Sequence, residues 1–385
     1  MKLAFQLAYK NLVGAGLRTW LTVSVLSFAF VVIIFYNGMI NGWNQEATHD
    51  SIDWQYGYGQ LQNDKYDPYD PFSLMDGHGV LPDWKQKNLV PILIRQAAIY
   101  PQRRMVSVML KGIDDKQNVL KLPTELLSQS KAEIPALIGK RMAASAALKT
   151  GDKVLLRWRD KNGTYDAEDI TIVGVFNTNV PSVDMGQIWI PIDTLWSMTE
   201  LQNNATLFIA GKDYKSQSEA GWKFVSQTAL LKDLSDLIAM KRVSGSIIYL
   251  LLLSIALLAI FDTQVLSVFR RQKEIGTYIA LGMTRLEVVG LFTVEGSMNS
   301  LLATLVGCIY GIPLFVYLAR TGITLPMDST STGLPMAEKL FPVYGAGLII
   351  GTVALIVISS TIVSFLPSRK IANMDPVDAL KGKAQ

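Results

Sequence analysis

The sequence predicts a membrane protein with four transmembrane helices and a mixed α/β extracytoplasmic domain inserted between helices 1 and 2. Half of the 385 residues are hydrophobic, yet 18% are charged, a mixture too polar for an all-membrane chain and too apolar for a soluble one. Four stretches reach the roughly 20 apolar residues that a bilayer crossing requires. Between the first two, residues 41–243 alternate short strand-like and helical runs.

The first 19 residues carry Lys2, Lys10 and Arg18 and no acid, which makes residues 1–19 a cytosolic amphipathic segment. Trp20 to Ile40 is uninterrupted by charge. A helix over it is about 31 Å long, enough for the hydrocarbon core. This stretch is longer than a signal-peptide core, and the following NGMINGWNQ has no clear small-x-small cleavage site. We therefore expect a retained span at 20–40 rather than a cleaved leader, with Trp20 and Trp43 as interfacial anchors.

Within residues 41–243, strand-like runs fall at Val90–Ile94, Met105–Leu110, Lys153–Trp158, Ile170–Phe176, Gln187–Pro191 and Thr206–Ala210. Helical runs fall at Ile138–Leu148, Leu195–Glu200 and Ser216–Asp236. Lys161-Asn162-Gly163 reads as a hairpin turn. Tyr56–Gly79, rich in Tyr, Asp, Pro and Gly, reads as an irregular surface segment.

The second span, 245–269, contains Asp262, and the third, 288–318, contains Glu295. The fourth, 344–366, has no charge. The 270–287 connection bears Arg270, Arg271, Lys273 and Arg285, and the tail, 367–385, bears Arg369, Lys370, Lys381 and Lys383. The 319–343 loop has only two cations, Arg320 and Lys339. The positive-inside rule therefore puts both termini and the 270–287 connection in the cytosol, with 41–243 and 319–343 outside.

The formal charge of +4 follows from that bias and calls for no nucleic-acid partner. The single cysteine, Cys308, lies in the third span, so the outer domain stands without a disulfide. Its histidines, His49 and His78, are far apart, and no serine-nucleophile elbow, metal-spaced histidine pair or cysteine cluster is present. Asp64, Asp67, Asp70 and Asp76 do not follow a calcium-loop spacing and read as a solvated turn. No GxxxxGK[ST] phosphate loop occurs, so neither a catalytic residue, a metal site nor a bound cofactor is expected in this chain.

Ser267–Phe292, SVFRRQKEIGTYIALGMTRLEVVGLF, is the most informative segment. Its cations hold it at the cytosolic surface, while Ile275, Ile279, Ala280 and Leu286 recur at helical spacing. A helix held between two spans can pass force from a cytosolic motor into the bilayer.

This segment resembles the coupling helix of FtsX-like ABC transporter permeases, the type VII or mechanotransmission superfamily. AYKNLVGAGLRTWLTVSVLSFAF is similar to the start of their first span, NGMINGW with GYGQLQNDKYD to the start of the outer domain and its GHLQI-like strand, and PSRKIANMDPVDALKG to the C-terminal signature. VMLKGIDD, LIGKRMAASAALKTGDKVLL and ITIVGVFNTNVPSVDMGQIWIPIDTL resemble landmarks of the lipoprotein-releasing permease group. The chain departs from the pattern at Asp262, where such permeases carry a neutral polar residue.

The resemblance implies an inner-membrane permease paired with a second permease subunit, itself or a related chain, and with two copies of a separate ATPase that binds ATP and Mg. Arg270, Arg271, Lys273, Glu274, Ile275, Gly276, Gly282 and Arg285 would dock on that ATPase. It further implies a cargo pocket for acyl chains between spans one and two of paired subunits, with Phe28, Phe35, Met39, Phe261 and Asp262 as lining, Phe30 beside them, and a periplasmic acceptor or carrier for the cargo. Asp262 is expected to pair with Thr263 or a neighbouring span, and Gly307 and Gly311 to mark close helix packing. Extraction of a lipid-linked cargo, activation of an external cell-wall hydrolase and efflux of small hydrophobic molecules stay open as functions.

Overall fold

The computed structural model describes residues 17–82, 84–85, 87–215, 219–324 and 339–373. The predicted N-terminal segment up to residue 16, most of the 319–343 loop and the tail beyond 373 lie outside them. The chain divides into two compact units: Met1–Trp43 with Ile238–Ile323 and Leu340–Gln385, and Asn44–Leu237 with Thr324–Lys339.

Four helices contain windows long and apolar enough to cross a membrane: α1 (Leu17–Ser51), α4 (Lys232–Arg270), α6 (Arg285–Thr321) and α7 (Ala346–Ser368). Helices α2 (Lys140–Ala146), α3 (Ile192–Thr199) and α5 (Gln272–Ala280) are shorter. In the helical unit, Leu26, Phe30 and Ile34 of α1 pack with Ala256 and Ile260 of α4, Ala303 of α6 and Ile356 of α7. Glycines permit this approach. A Cβ on Gly307 would come within 2.7 Å of the Phe30 ring, and one on Gly311 within 3.0 Å of Val31. The expected small-residue packing of α6 is present, against α1. Trp20 is exposed, as an interfacial anchor would be, but Trp43 is buried.

The other unit is built on a nine-stranded mixed sheet. Its strands are β1 (Gly59–Asn63), β2 (Leu89–Ile99), β3 (Val106–Ile113), β4 (Pro135–Gly139), β5 (Lys153–Arg159), β6 (Tyr165–Phe176), β7 (Gln187–Pro191), β8 (Leu207–Ala210) and β9 (Trp222–Ser226), in the order β9-β1-β8-β2-β3-β7-β4-β6-β5. The long β2 changes partners along its length. Its first half pairs with β8 and its second half with β5, while β3 runs along its other side. Strands β2-β3-β7-β4-β6-β5 thereby close on themselves. Leu93, Leu110, Ile138, Leu156, Ile170 and Ile188 fill the enclosed core, all with no exposed surface, and α3 adds Leu195 and Trp196.

The 160–164 hairpin forms where the sequence predicts it. The Asp160 carboxylate accepts the Asn162 and Thr164 N–H groups, each at 2.8 Å, and Gly163 supplies φ +84°. Three stretches differ from expectation. The helix predicted from Ile138 begins at Lys140, because Ile138 is a fully buried strand residue facing the core. Within Ser216–Asp236, Trp222–Ser226 is a strand antiparallel to β1: Gly221 turns the chain at φ +79° and Trp222 packs edge-on against Phe208. Helix begins only at Gln227, and residues 216–218 lie outside the described ones. Tyr56–Gly79 is not wholly irregular, since β1 lies inside it with Leu61 completely buried.

Candidate functional site

Chain direction changes twice between α4 and α6. Arg271, at φ −105° and ψ 22°, breaks the helix after Arg270, and α5 follows over nine residues. The second break is a turn at Gly282, φ +101°, a conformation that L side chains rarely adopt. Thr284 then caps α6 reciprocally. Its hydroxyl accepts the Glu287 N–H, and the Glu287 carboxylate accepts the Thr284 N–H at 2.8 Å. The predicted continuous 270–287 helix is thus two segments. Ile275 and Ile279 lie on α5, whereas Leu286 belongs to the first turn of α6.

Helix α5 is held down by the apolar Ile275, with Tyr278 and Ile279 packed beside it, and by the cation Arg271. Ile275 has no exposed surface and packs among Val268, Val288, Val289, Phe292 and Ile371. Gly276, also buried, shares that inner face. Arg271 donates from Nη1 to both Glu295 oxygens, at 3.0 and 2.9 Å, and from Nε to Glu274 at 2.6 Å. Its guanidinium lies 4.8 Å from the centroid of the Phe292 ring. Desolvation works against this cation, but the hydrogen bonds and charges of Glu274 and Glu295 outweigh it and raise the Arg271 pKa.

The outer face is different in kind. Lys273, Glu274, Arg285, Leu281 and Leu286 are exposed, the two leucines at 79% and 78%. Two bare leucines ringed by charges make a surface suited to a protein partner. Arg270 is exposed at the end of α4, and Gly282 has open space beside it. Of the eight predicted coupling residues, the structure therefore puts Ile275, Gly276 and Arg271 on the anchoring side and the rest at the breaks or the surface. Sequence reasoning singled out Glu295 without finding its partner. An acid near the end of a span demands a cation, and Arg271 is the one it meets.

The predicted pocket residues, expected between spans one and two of paired subunits, differ in exposure within a single chain. Phe28 is 59% exposed and Asp262 is also exposed, while Phe35, Met39 and Phe261 are half-buried; Phe30 is a core residue. The expected pairing of Asp262 is absent among the described residues. Thr263 instead hydrogen-bonds Thr22 at 3.1 Å and the Ala259 carbonyl at 2.7 Å, turning Asp262 to the outside of the helix pair. Among the described residues no cluster of His, Cys, Asp or Glu could hold a metal ion.

The chain is 22% identical over 316 residues to the lipoprotein-releasing system transmembrane protein LolC of Xylella fastidiosa, covering 75% of this chain and 76% of that one. It is 29% identical over 123 residues to the macrolide export ATP-binding/permease protein MacB of Marinobacter nauticus, covering 32% of this chain and 16% of that protein's length. The crystal structure of the extracellular domain of the noncanonic ABC-type transporter YknZ from Gram-positive bacteria aligns over 40% of this chain and 83% of that one, at 13% identity and a TM-score of 0.26. Residues 246–376, which carry α5 and most of the helices that flank it, match the FtsX-like permease C-terminal family.

Proposed function

We propose that this chain is the permease subunit of an ABC transporter of the MacB and LolC type, driven by an ATPase on a separate chain that binds ATP and Mg. The observation that carries this reading is α5 with the turn after it: a short helix pinned by Arg271 and Ile275, with Lys273, Leu281 and, at the start of α6, Arg285 and Leu286 exposed. The ATPase dimer grips that outer face. Its closure on ATP pulls on Arg271 and Ile275, and through them on α4 and α6.

Lys and Arg placement supports both termini and α5 in the cytosol, with the α/β domain inserted between the first two spans and facing the periplasm. The boundaries of that reading are spans at 20–40, 245–269, 288–318 and 344–366. A second permease subunit, identical or related, is supported by the exposed Asp262, because a lone carboxylate in lipid costs about 2.5–3.5 kcal/mol and a partner helix removes that cost. The cargo is lipid-linked, such as a lipoprotein, lifted from the inner membrane beside Phe28, Phe35, Met39 and Phe261 and passed to a periplasmic acceptor.

The test is to purify the chain in mild detergent with its co-encoded ATPase and identify bound molecules by mass spectrometry. Triacylated lipoproteins, together with ATPase stimulation that is lost in Arg271→Glu, establish an extraction machine. A cell-wall hydrolase with no lipid-linked cargo overturns extraction in favour of a mechanical signalling subunit, and a periplasmic adaptor with a small hydrophobic molecule favours efflux.

A further inference from the structure

Within the α/β unit, a cavity of about 370 Å³ opens on the sheet face outside the closed strands. This is within the usual size of small-molecule sites. Lys111 of β3 projects to that face between its register partners Ile94 and Trp189, alternating with the core residue Leu110. Its ammonium sits 4.9 Å from the centroid of the Trp189 ring. It makes no ion pair or side-chain hydrogen bond to another described residue. Lys223 and Lys232 also line the cavity, against one carboxylate, Asp233, which already accepts the Tyr69 hydroxyl at 2.6 Å. Three lysines therefore line the cavity against a single, engaged acid. Tyr66 completes the wall; burial pushes its phenol up to about 12, so it remains a neutral hydroxyl that can donate.

Lys111 is half-buried and has no counter-charge among the described residues, an unfavourable state for a cation, and desolvation draws its amine down to about 8. An anion in the cavity reverses that penalty. We propose that the cavity beside Lys111 binds a small organic oxyanion, a carboxylate or a phosphate monoester, whose aromatic or apolar body lies against the half-buried Tyr66. Lys111 takes the anionic head, and Lys223 and Lys232 add long-range attraction. The site lies wholly in the α/β unit and requires no ATPase, so it stands or falls separately from the permease reading.

The experiment uses the full chain in an uncharged detergent. Lys111 is labelled with a short pulse of an amine-acylating reagent and quantified by mass spectrometry, with benzoate, phenyl phosphate or neutral benzamide present. We expect benzoate or phenyl phosphate to slow Lys111 labelling by about fivefold or more, as an ion pair raises the amine's pKa and covers it, while the exposed Lys212 is unaffected. Protection by benzoate alone assigns a carboxylate ligand, and by phenyl phosphate alone a phosphate monoester. No protection by either anion, or equal protection by benzamide, overturns the proposal. Equilibrium dialysis of the protecting anion adds a second readout: Lys111→Met loses binding and Lys111→Arg keeps it. The labelling is read on the unaltered chain, so a variant that misfolds does not mask the result.

Discussion

Arg271 and Glu295 are joined by two hydrogen bonds, 3.0 and 2.9 Å, that tie the first residue before α5 to a carboxylate three turns inside α6. Both side chains are mostly buried, at 18% and 13% exposure. The contact fixes the angle of α5 to the helix that follows it, because Phe292 and Ile275 close the same corner. A rigid corner is what a lever needs.

Breaking this pair from one side takes two short hydrogen bonds from the charge that remains. We expect Arg271→Ala or Glu295→Gln to cost about 1.5–3 kcal/mol, the range for hydrogen bonds to charged groups. Arg271→Met with Glu295→Leu should recover much of that loss, since apolar pairs often replace buried ion pairs at little cost. A double-mutant cycle on thermal unfolding in detergent checks this, and additive single-mutant losses would contradict the coupling.

Glycines in α6 separate into those that permit packing and those that do not. Gly307 has the Phe30 ring 2.7 Å from its would-be Cβ, whereas Gly290 has nothing within 4 Å. Gly307→Ala is expected to lower the unfolding temperature of the helical unit. Gly290→Ala should leave it unchanged or raise stability by about 0.5–1 kcal/mol through reduced backbone freedom. Parallel melting curves decide it, and equal effects would place the packing elsewhere.

In the α/β unit, Asp184 holds the start of α2. Its carboxylate accepts the Arg141 N–H at 3.1 Å and lies 3.4 Å from the Arg141 side chain. Burial pushes the Asp184 carboxyl up, with the Arg141 N–H and charge opposing. Asp184→Ala should destabilise the unit by about 1–3 kcal/mol, because Arg141 and a helix N–H lose their acceptor. Asp184→Asn, which keeps the acceptor oxygen, should cost less. Limited proteolysis of the two variants at matched temperature measures the difference.

Lys111 makes stability depend on pH in a defined direction. Its amine is lowered from an ordinary 10.5 to about 8. Below about 8 the lysine is charged in both states and the burial cost is present in full. Between about 8 and 10.5 the unfolded chain holds a proton that the folded chain has released, so stability rises with pH. Tyr66, raised from 10.0 to about 12, acts in the opposite sense only above about 10. Denaturation midpoints at pH 7.5 and 9.5 should therefore show a gain that Lys111→Met reduces; an unchanged gain in that variant would remove Lys111 as its source.

The helical unit was largely legible because hydropathy over about 20 residues is a local property: three apolar stretches lie within helices, and the fourth does so from Ala346 onward. Strands with strong local patterning were legible too: Lys153–Arg159 alternates exposed and buried residues without exception. Strands β4 and β9 were missed, and β1 was marked only by the resemblance of GYGQLQNDKYD to a GHLQI-like strand, not by its residue pattern. Gly59–Asn63 and Trp222–Ser226 are short and owe their conformation to pairing with each other, some 160 residues apart. Ile138 was assigned to helix because its apolar neighbours Met142 and Ala146 continue at helical spacing beyond it.

By itself the sequence determined the apolar stretches, the charge bias, the lack of a phosphate loop and the basic, amphipathic segment between the second and third of those stretches, since each depends on residues close together in the chain. Only the tertiary structure decided that Arg271 meets Glu295, that Asp262 faces outward, and that Lys111 stands over Trp189 without an acid. Those relationships depend on which helix face turns inward and which strands become neighbours. Packing across long chain separations sets both, and no local pattern of residue types encodes it.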